Sequence, residues 1–474
     1  MTFTPAQASL EPEPLVMLHL GLGAFHRAHQ ADYLQDLADA GDRQWMLAGG
    51  NLRADPTATL EALRQQGGRY TLETVTPDGE RRYRQLDVIR QVLPYEPSLA
   101  GLITLGAQLR TRIVSFTVTE AGYYLDPAGG LDEQAPELAS DLQGLTRCTI
   151  YGAAAAVLQE RMRRGSGPVT LLNCDNLRHN GDRFRAGLMA FLERRGQHAL
   201  RDWAEANVCT PNSMVDRITP RPGPEVRERV RAATGVDDAA AVMAEDFRQW
   251  VIEDRFCHGR PGWKWVGVEM VDSVRPYEEA KIRILNATHS CIAWAGTLLG
   301  YRYIHEGTRD PRVRQLAHAY VTEDVLPCLD RPGRRSPLDL AAYRDTVLDR
   351  FGNAALCDTH QRVAMDGYSK IPGFIAPTLR ERLAAGQPAH AVARLPALFL
   401  AFLQLWHRGM LPWDYQDQAM DPAAAHAVCS SADPVAALCG DRQLWGDLAG
   451  QPALVDALRQ GLRDISFMTG ALLD

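Results

Sequence analysis

Short apolar runs punctuate the first half of the chain, and each ends in glycine or a polar residue. The run Leu15–Leu20 (LVMLHL) leads into Gly21-Leu-Gly23 and then into the helical pattern QADYLQDLADAG. Residues 45–48 (WMLA) end in Gly49-Gly50-Asn51. Residues 112–119 (RIVSFTVT) and 169–172 (VTLL) are continuous apolar stretches of the kind found in strands buried on both faces of a parallel sheet. A helical stretch at 152–164 separates them. Both end in polar residues, Glu120 and Asn173-Cys-Asp175-Asn176, where ligands of open α/β sheets bind. Residues 68–86 alternate in period two about Pro77-Asp78-Gly79, which predicts an inserted hairpin whose charged residues form a solvated face. A further apolar run spans 263–271. From there the alternation stops and the chain turns helix-rich, with a cap signal at Ser336-Pro337 and alanine-rich stretches near 383–403 and 422–440.

Strand, glycine turn and helix in that order are what a dinucleotide site requires. Gly21 permits the tight turn, Gly23 lets the backbone approach a pyrophosphate, and Ala24 and Phe25 open the helix. The third glycine of the usual fingerprint is missing. Asp55, after the second strand, is the residue expected to take the adenosine ribose hydroxyls, which favours NAD, while Arg53 beside it keeps a 2′-phosphate conceivable. Glu120, at the end of its strand, joins the expected cofactor side. The fold class is therefore α/β: an N-terminal Rossmann-type dinucleotide-binding domain over 14–272 and a mostly α-helical C-terminal domain over 273–474.

Composition narrows the function classes. The chain has 474 residues, is 46% hydrophobic and carries a net charge of −7 with its basic residues dispersed, which argues against a nucleic-acid surface. Its first fifteen residues lack the basic n-region of a signal peptide, and no segment approaches a membrane span. Nine scattered cysteines without a Cys-x-x-Cys pair point to a reduced cytoplasm, and Cys257-His258 and His289-x-Cys291 lack zinc-ligand spacing, so no metal is expected.

The chemistry is expected in Glu278-Glu-Ala-Lys281-Ile-Arg-Ile-Leu-Asn286-Ala-Thr-His289. At about 100° per residue, Lys281, His289 and Asn286 fall near 0°, 80° and 140° and share a face with Glu278, Leu285 and Ile292. A lysine on a partly apolar face is desolvated, which moves it toward service as a base.

Four motifs then occur in order: Gly21-Leu-Gly23-Ala-Phe-His-Arg-Ala-His29, Cys174-Asp-Asn176-Leu-Arg-His-Asn180-Gly181, Ser213-Met-Val-Asp216-Arg217-Ile-Thr-Pro220, and Lys281-x4-Asn286-x2-His289. Together they resemble the polyol-specific long-chain dehydrogenases, the mannitol dehydrogenase family, over about residues 15–470. Thr210 departs from the family's usual phenylalanine or serine. The resemblance implies that Lys281 is the general base, that Asn286 and Asn176 hydrogen-bond the reacting oxygen, and that His289 binds substrate. It implies that Glu278 relays the proton and that Asp216, Arg362 and Lys370 contact substrate. Residues 70–79 and 172–181 look most like the D-arabinitol branch, implying oxidation of D-arabinitol to D-xylulose by a monomer with NAD. The mannitol and the fructuronate or tagaturonate branches stay open, because Arg362 and Lys370 could hold a carboxylate or hydroxyls. A catalytically silent nucleotide-binding regulator is the alternative of another class.

Overall fold

The computed structural model describes residues 13–55, 58–126 and 129–469. The leader reading of the first fifteen residues falls almost entirely outside them, as do the last five residues of the C-terminal domain. The chain divides between Val274 and Arg275 into two compact units, with the hairpin turn Thr76–Glu80 grouped with the second.

The first unit is built on six parallel strands: β1 (Leu15–Leu20), β2 (Trp45–Gly50), β5 (Ile89–Val92), β6 (Thr111–Phe116), β7 (Val169–Asn173) and β8 (Val208–Cys209). Their order is β5-β2-β1-β6-β7-β8, so chain direction across the sheet reverses at β1, the switch point where such sheets bind ligands. Alternate residues feed two apolar layers. Leu18, Leu20, Val114, Phe116 and Leu171 face a layer with Tyr151, Phe184 and Leu188. Met17, Leu47, Ile113 and Leu172 face another with Trp250 and Trp263. Burial on both faces explains why these strands read as unbroken apolar runs.

The predicted hairpin forms, as β3 (Tyr70–Val75) and β4 (Arg81–Leu86), and β10 (Val242–Glu245) adds to β3 in parallel. Its charged face is not simply solvated. Arg84 donates to Asp32 at 2.8 Å, Asp36 at 2.6 Å and Asp39 at 2.6 Å. Asp32 also accepts from the buried Arg217 at 2.8 Å and from Arg248 at 2.5 Å. Glu73, fully buried, takes Arg81 and Arg229. Arg84 thus pins the hairpin to the helix Gln30–Asp39, and Glu73 ties it to the helix Pro224–Thr234 through Arg229. A third sheet joins β9 (Ser213–Asp216), β11 (Gln249–Glu253) and β12 (Glu269–Val271) in the order β12-β11-β9. The apolar run at 263–271 therefore divides into a short 3₁₀ turn, Trp263–Val266, and β12.

At the opposite end of the sheet, the loops entering β6 and β7 close around Arg161. This fully buried guanidinium donates to the carbonyls of Gly106, Gln108, Thr111, Ser166, Gly167 and Pro168, at 2.8–3.2 Å. Burial lowers its pKa to about 10, which leaves it charged at neutral pH.

The second unit is helical. Its core packs Ala287–Leu298 against His390–His407, which in turn lies along Pro452–Asp464. Three segments, Lys281–Asn286, Tyr320–Val325 and Ile371–Ile375, are π-helical, and the first packs against both others. Among the described residues no helix is long and apolar enough to cross a membrane.

Candidate active site

In the first unit, two cavities open beyond the carboxyl ends of the parallel strands. One, of about 580 Å³, is lined by Gly21 after β1, by Asn51, Arg53 and Asp55 after β2, and by residues 117–119 after β6. The other, of about 420 Å³, is lined by Phe25, residues 117–120, Val215 and residues 174–177, so Glu120 and Asn176 both border it.

The glycine turn between β1 and the helix Ala24–Ala28 is formed as the sequence predicts. Gly21 sits at φ +111°, a conformation that favours glycine, and a Cβ on Gly23 would meet nothing within 4 Å. That open space beside the turn suits a nicotinamide dinucleotide, so the residues present fit the cofactor that the motif implies. The loop is held by Asn51, whose Oδ1 accepts from Leu22 N at 3.0 Å. Asp55 Oδ2 accepts from Leu60 N at 2.8 Å while its residue borders the larger cavity. Arg53 donates to the Tyr124 hydroxyl at 2.8 Å and the Cys148 carbonyl at 3.3 Å.

Behind the turn, His19 stacks on His26 with ring centroids 3.5 Å apart, and His29 donates from Nε2 to Gln249 O at 2.8 Å and accepts at Nδ1 from the Gln30 amide at 3.0 Å. Burial pushes the pKa of His26 and of His29 down to about 3 and that of His19 well below its ordinary value, so all three are neutral core groups. His26 and His29 thus have a structural place in the core.

Among the asparagines at and after the end of β7, the structure separates two internal ones from one that borders the cavity. Asn180 is fully buried and donates to the Asp175 carbonyl and carboxylate and to Ser213 O. Asn173 donates to the Tyr123 hydroxyl at 2.5 Å, and Tyr123 donates to Asp175 Oδ2 at 2.7 Å. Burial raises the Asp175 carboxyl to about 6 despite these donors. Asn176 is exposed at the mouth of this network. Gly181 fixes the turn from below, since a Cβ there would lie 2.5 Å from the carbonyls of Thr210 and Pro211. Asp216 ends β9 and is buried, while its neighbour Arg217 belongs to Asp32.

In the second unit, Glu278 and Lys281 are buried, at 5% and 7% exposure, and Asn286 and His289 are partly open. The helical ruler used on the sequence needs correction here, because Lys281–Asn286 is a π turn. One residue is in effect inserted, which turns the remainder of the helix back by about 100° and brings His289 to about 20° from Lys281 rather than 80°. Such an insertion leaves a main-chain carbonyl to be met from outside the helix. The Tyr320 hydroxyl, fully buried, donates to Arg283 O at 2.7 Å from within the second π segment. The Arg283 guanidinium is tied to Glu279 at 2.8 Å and Glu381 at 2.7 Å.

His289 lies stacked on Phe351, centroids 4.3 Å apart, and its Nε2 is 3.3 Å from Asp358 Oδ2. That approach suits an ion pair but is off the N–H line, so the nitrogen makes no well-aligned hydrogen bond. Burial lowers the His289 pKa, with Asp358 opposing. Asp358 also takes Arg362 in a two-point pair, Nε to Oδ1 at 2.7 Å and Nη2 to Oδ2 at 2.5 Å. Burial alone would raise the Asp358 carboxyl, but His289 and Arg362 hold it well below the usual carboxylate range. Lys370 donates to Val363 O at 2.6 Å, and burial lowers it to about 8. The structure thus gathers His289, Arg362 and Lys370 about Asp358, a residue that sequence reasoning did not single out. Tyr320 and Tyr123 were likewise missed, and Asn51 and Asp175 were noted only as strand-end residues without a role. Among the described residues, no three His, Cys, Asp or Glu side chains are grouped to hold a metal ion.

Known proteins match this arrangement along its length. The profile of the mannitol dehydrogenase Rossmann domain matches residues 16–265, and that of the mannitol dehydrogenase C-terminal domain matches residues 273–466. A D-arabinitol 4-dehydrogenase of Ralstonia nicotianae is 60% identical over 458 residues, 96% of this chain and 97% of the relative. A D-arabinitol 4-dehydrogenase of Klebsiella pneumoniae is 52% identical, covering 94% of this chain and 96% of its own length. The ternary complex of Pseudomonas fluorescens mannitol 2-dehydrogenase with NAD and D-mannitol superposes with a TM-score of 0.80 at 33% identity, covering 97% of this chain and 94% of that one. With two domain profiles matching in order and relatives of this identity spanning nearly the whole sequence, the chain belongs to the mannitol dehydrogenase family of oxidoreductases.

Proposed function

We propose that the protein oxidises a secondary hydroxyl of a linear polyol to a ketose, with D-arabinitol as substrate, D-xylulose as product and NAD as acceptor. The observation that carries this reading is the 60% identity to a D-arabinitol 4-dehydrogenase over 96% of the chain.

The residues support it chemically. A dinucleotide held by its pyrophosphate at the glycine turn would supply the hydride acceptor. Hydride leaves a neutral alcohol poorly unless the oxygen gains negative character, so a base and alkoxide donors are required. Lys281 is the base, and Glu278, buried three residues before it, passes the proton toward solvent. Asn286 and Asn176 donate to the developing alkoxide, and His289, Asp216, Arg362 and Lys370 hold the remaining hydroxyls. Lysine and asparagines fill both roles, so the proposed reaction is metal-independent. NAD rather than NADP is supported by Asp55, which borders the larger cavity and whose charge would repel a 2′-phosphate, and by Arg53, which is engaged with Tyr124 and Cys148. We take the enzyme to be a monomer and place it in the cytoplasm, the latter in keeping with nine cysteines of which none is paired.

The test is the initial rate of NADH formation with D-arabinitol, D-mannitol, D-sorbitol, L-arabinitol and xylitol, repeated with NADP, with fructuronate reduction in reverse. D-Arabinitol with NAD is expected to lead. A preference for mannitol or fructuronate would overturn the substrate, and silence across the panel with NADH still bound would favour a regulator.

A further inference from the structure

Two cations, Arg362 and Lys370, stand where the substrate chain is expected, and such a pair is ordinarily suited to a carboxylate. Their surroundings argue otherwise. Arg362 spends its Nε and one Nη2 donor on Asp358 in a side-on, two-point pair. Asp358 is 12% exposed and Arg362 66%, so the acid is buried beneath a guanidinium whose outer edge remains open. The same carboxylate stands 3.3 Å from His289. Lys370 is held by the Val363 carbonyl and faces the charges of Asp366 and Asp417 as well as Asp358.

Asp358 is placed with care. Cys357 before it adopts φ +50°, turning the chain sharply. The Asp358 carbonyl accepts from Ile304 N at 2.9 Å, Thr359 bridges to Tyr303, and the Thr359 hydroxyl accepts from Arg362 N at 3.2 Å at the head of His360–Ala364. Both partners of the pair are therefore fixed from one clasped loop.

We propose that Asp358 is the specificity-determining residue that makes this pocket select an uncharged polyol over a sugar acid: by answering the charge of Arg362 and fixing His289, it leaves donors for hydroxyls without a net positive charge for a carboxylate. This rests on the polyol reading above. In that reading Asp358 acts through Arg362 and His289 and is a positioning residue, not a group that touches the reacting atoms.

The test uses full-length protein loaded with NADH, so that alcohols bind without turnover, and calorimetry with D-arabinitol and D-arabinonate, which differ by a terminal carboxylate. Wild type is expected to bind arabinitol more tightly. Asp358→Asn keeps an oxygen for Arg362 but removes the charge, and the ratio of the two dissociation constants should shift toward arabinonate by about tenfold or more, the effect of one charge at short range in a partly screened site. An unchanged ratio, including equal weakening of both ligands, overturns the proposal and leaves Asp358 a purely structural clamp. Should the variant fail to fold, wild type still decides: arabinonate bound as tightly as arabinitol overturns it. If no polyol is turned over in the rate panel while the ratio shifts as expected, the polyol function fails and the charge role of Asp358 stands.

Discussion

Replacing Tyr320 by phenylalanine removes one oxygen from a fully buried ring and leaves its packing in place. That oxygen donates to Arg283 O inside the π turn carrying Lys281 and Asn286. Burial raises the tyrosine's pKa, so it is a donor at every working pH. Stranding a buried carbonyl costs roughly 1–3 kcal/mol. For a unit of about 200 residues, at roughly 2–4 °C per kcal/mol, the melting temperature of the helical unit should drop by about 2–12 °C. The more telling effect is on register. If the turn relaxes to α geometry, His289 swings by about 100° relative to Lys281, far beyond the ~1 Å misplacement that can cost about 100-fold in rate. Polyol kcat should therefore fall about tenfold or more, and NADH affinity, which the proposed reading assigns to the glycine turn of the other unit, should hold within about twofold. Circular dichroism melts, steady-state kinetics and NADH fluorescence titration measure the three quantities. A variant that loses the expected stability but keeps wild-type kcat refutes the link between the π turn and the chemistry.

Lys281→Ala should lower alcohol oxidation by about 10²–10⁴-fold, the usual worth of a general base, with NADH binding unchanged by titration; retained turnover would remove lysine from that role. Asn176→Ala and Asn286→Ala should each lower kcat by about 10²–10³-fold, as for a lost oxyanion donor, and an effect on KM alone would assign them to binding. His26 and His29 are buried neutral with pKa values near 3, below the unfolded value of 6.5. The unfolded chain thus binds more protons below pH 6.5, and stability should decline progressively as pH falls from there toward 3. Denaturant midpoints from pH 7 to 4 test this, and His26→Asn should flatten the decline; an equally steep decline in the variant would assign the acid sensitivity elsewhere.

How far the sequence carried the structure depends on the kind of signal. Strands buried on both faces announce themselves, and Leu15–Leu20 was read to the residue because its apolar run is bounded by glycine. β8, of two residues, and β9 and β10, of four each, are too short for a periodicity and take their form from partners distant in sequence. The hairpin was legible from Pro77-Asp78-Gly79, but the fate of Arg84 was not, since its partners Asp32, Asp36 and Asp39 belong to a helix whose position only the fold supplies. The π turns left no trace in a ruler of 3.6 residues. In the candidate site, residues in local motifs, such as Lys281, Asn286 and His289, could be singled out from spacing. Asp358 could not, because an isolated aspartate in a loop acquires meaning only when folding sets it between His289 and Arg362.

Arg161 has a consequence for how this sequence can drift through evolution. Its charge is met by six peptide carbonyls and, among the described residues, by no acidic side chain. Any amino acid supplies a carbonyl, so the loops at 106–111 and 166–168 are free to exchange side chains while the cage persists. The exceptions are Gly106, where a Cβ would come within 2.7 Å of Val157, Gly167, at φ +72°, and the buried Thr111 and Ser166, whose hydroxyls donate to Leu105 O and Ala107 O. Position 161 has no such liberty: a lysine offers a single nitrogen where the guanidinium fork spans two loops. Variation among descendants of this chain should therefore accumulate around the arginine and spare it.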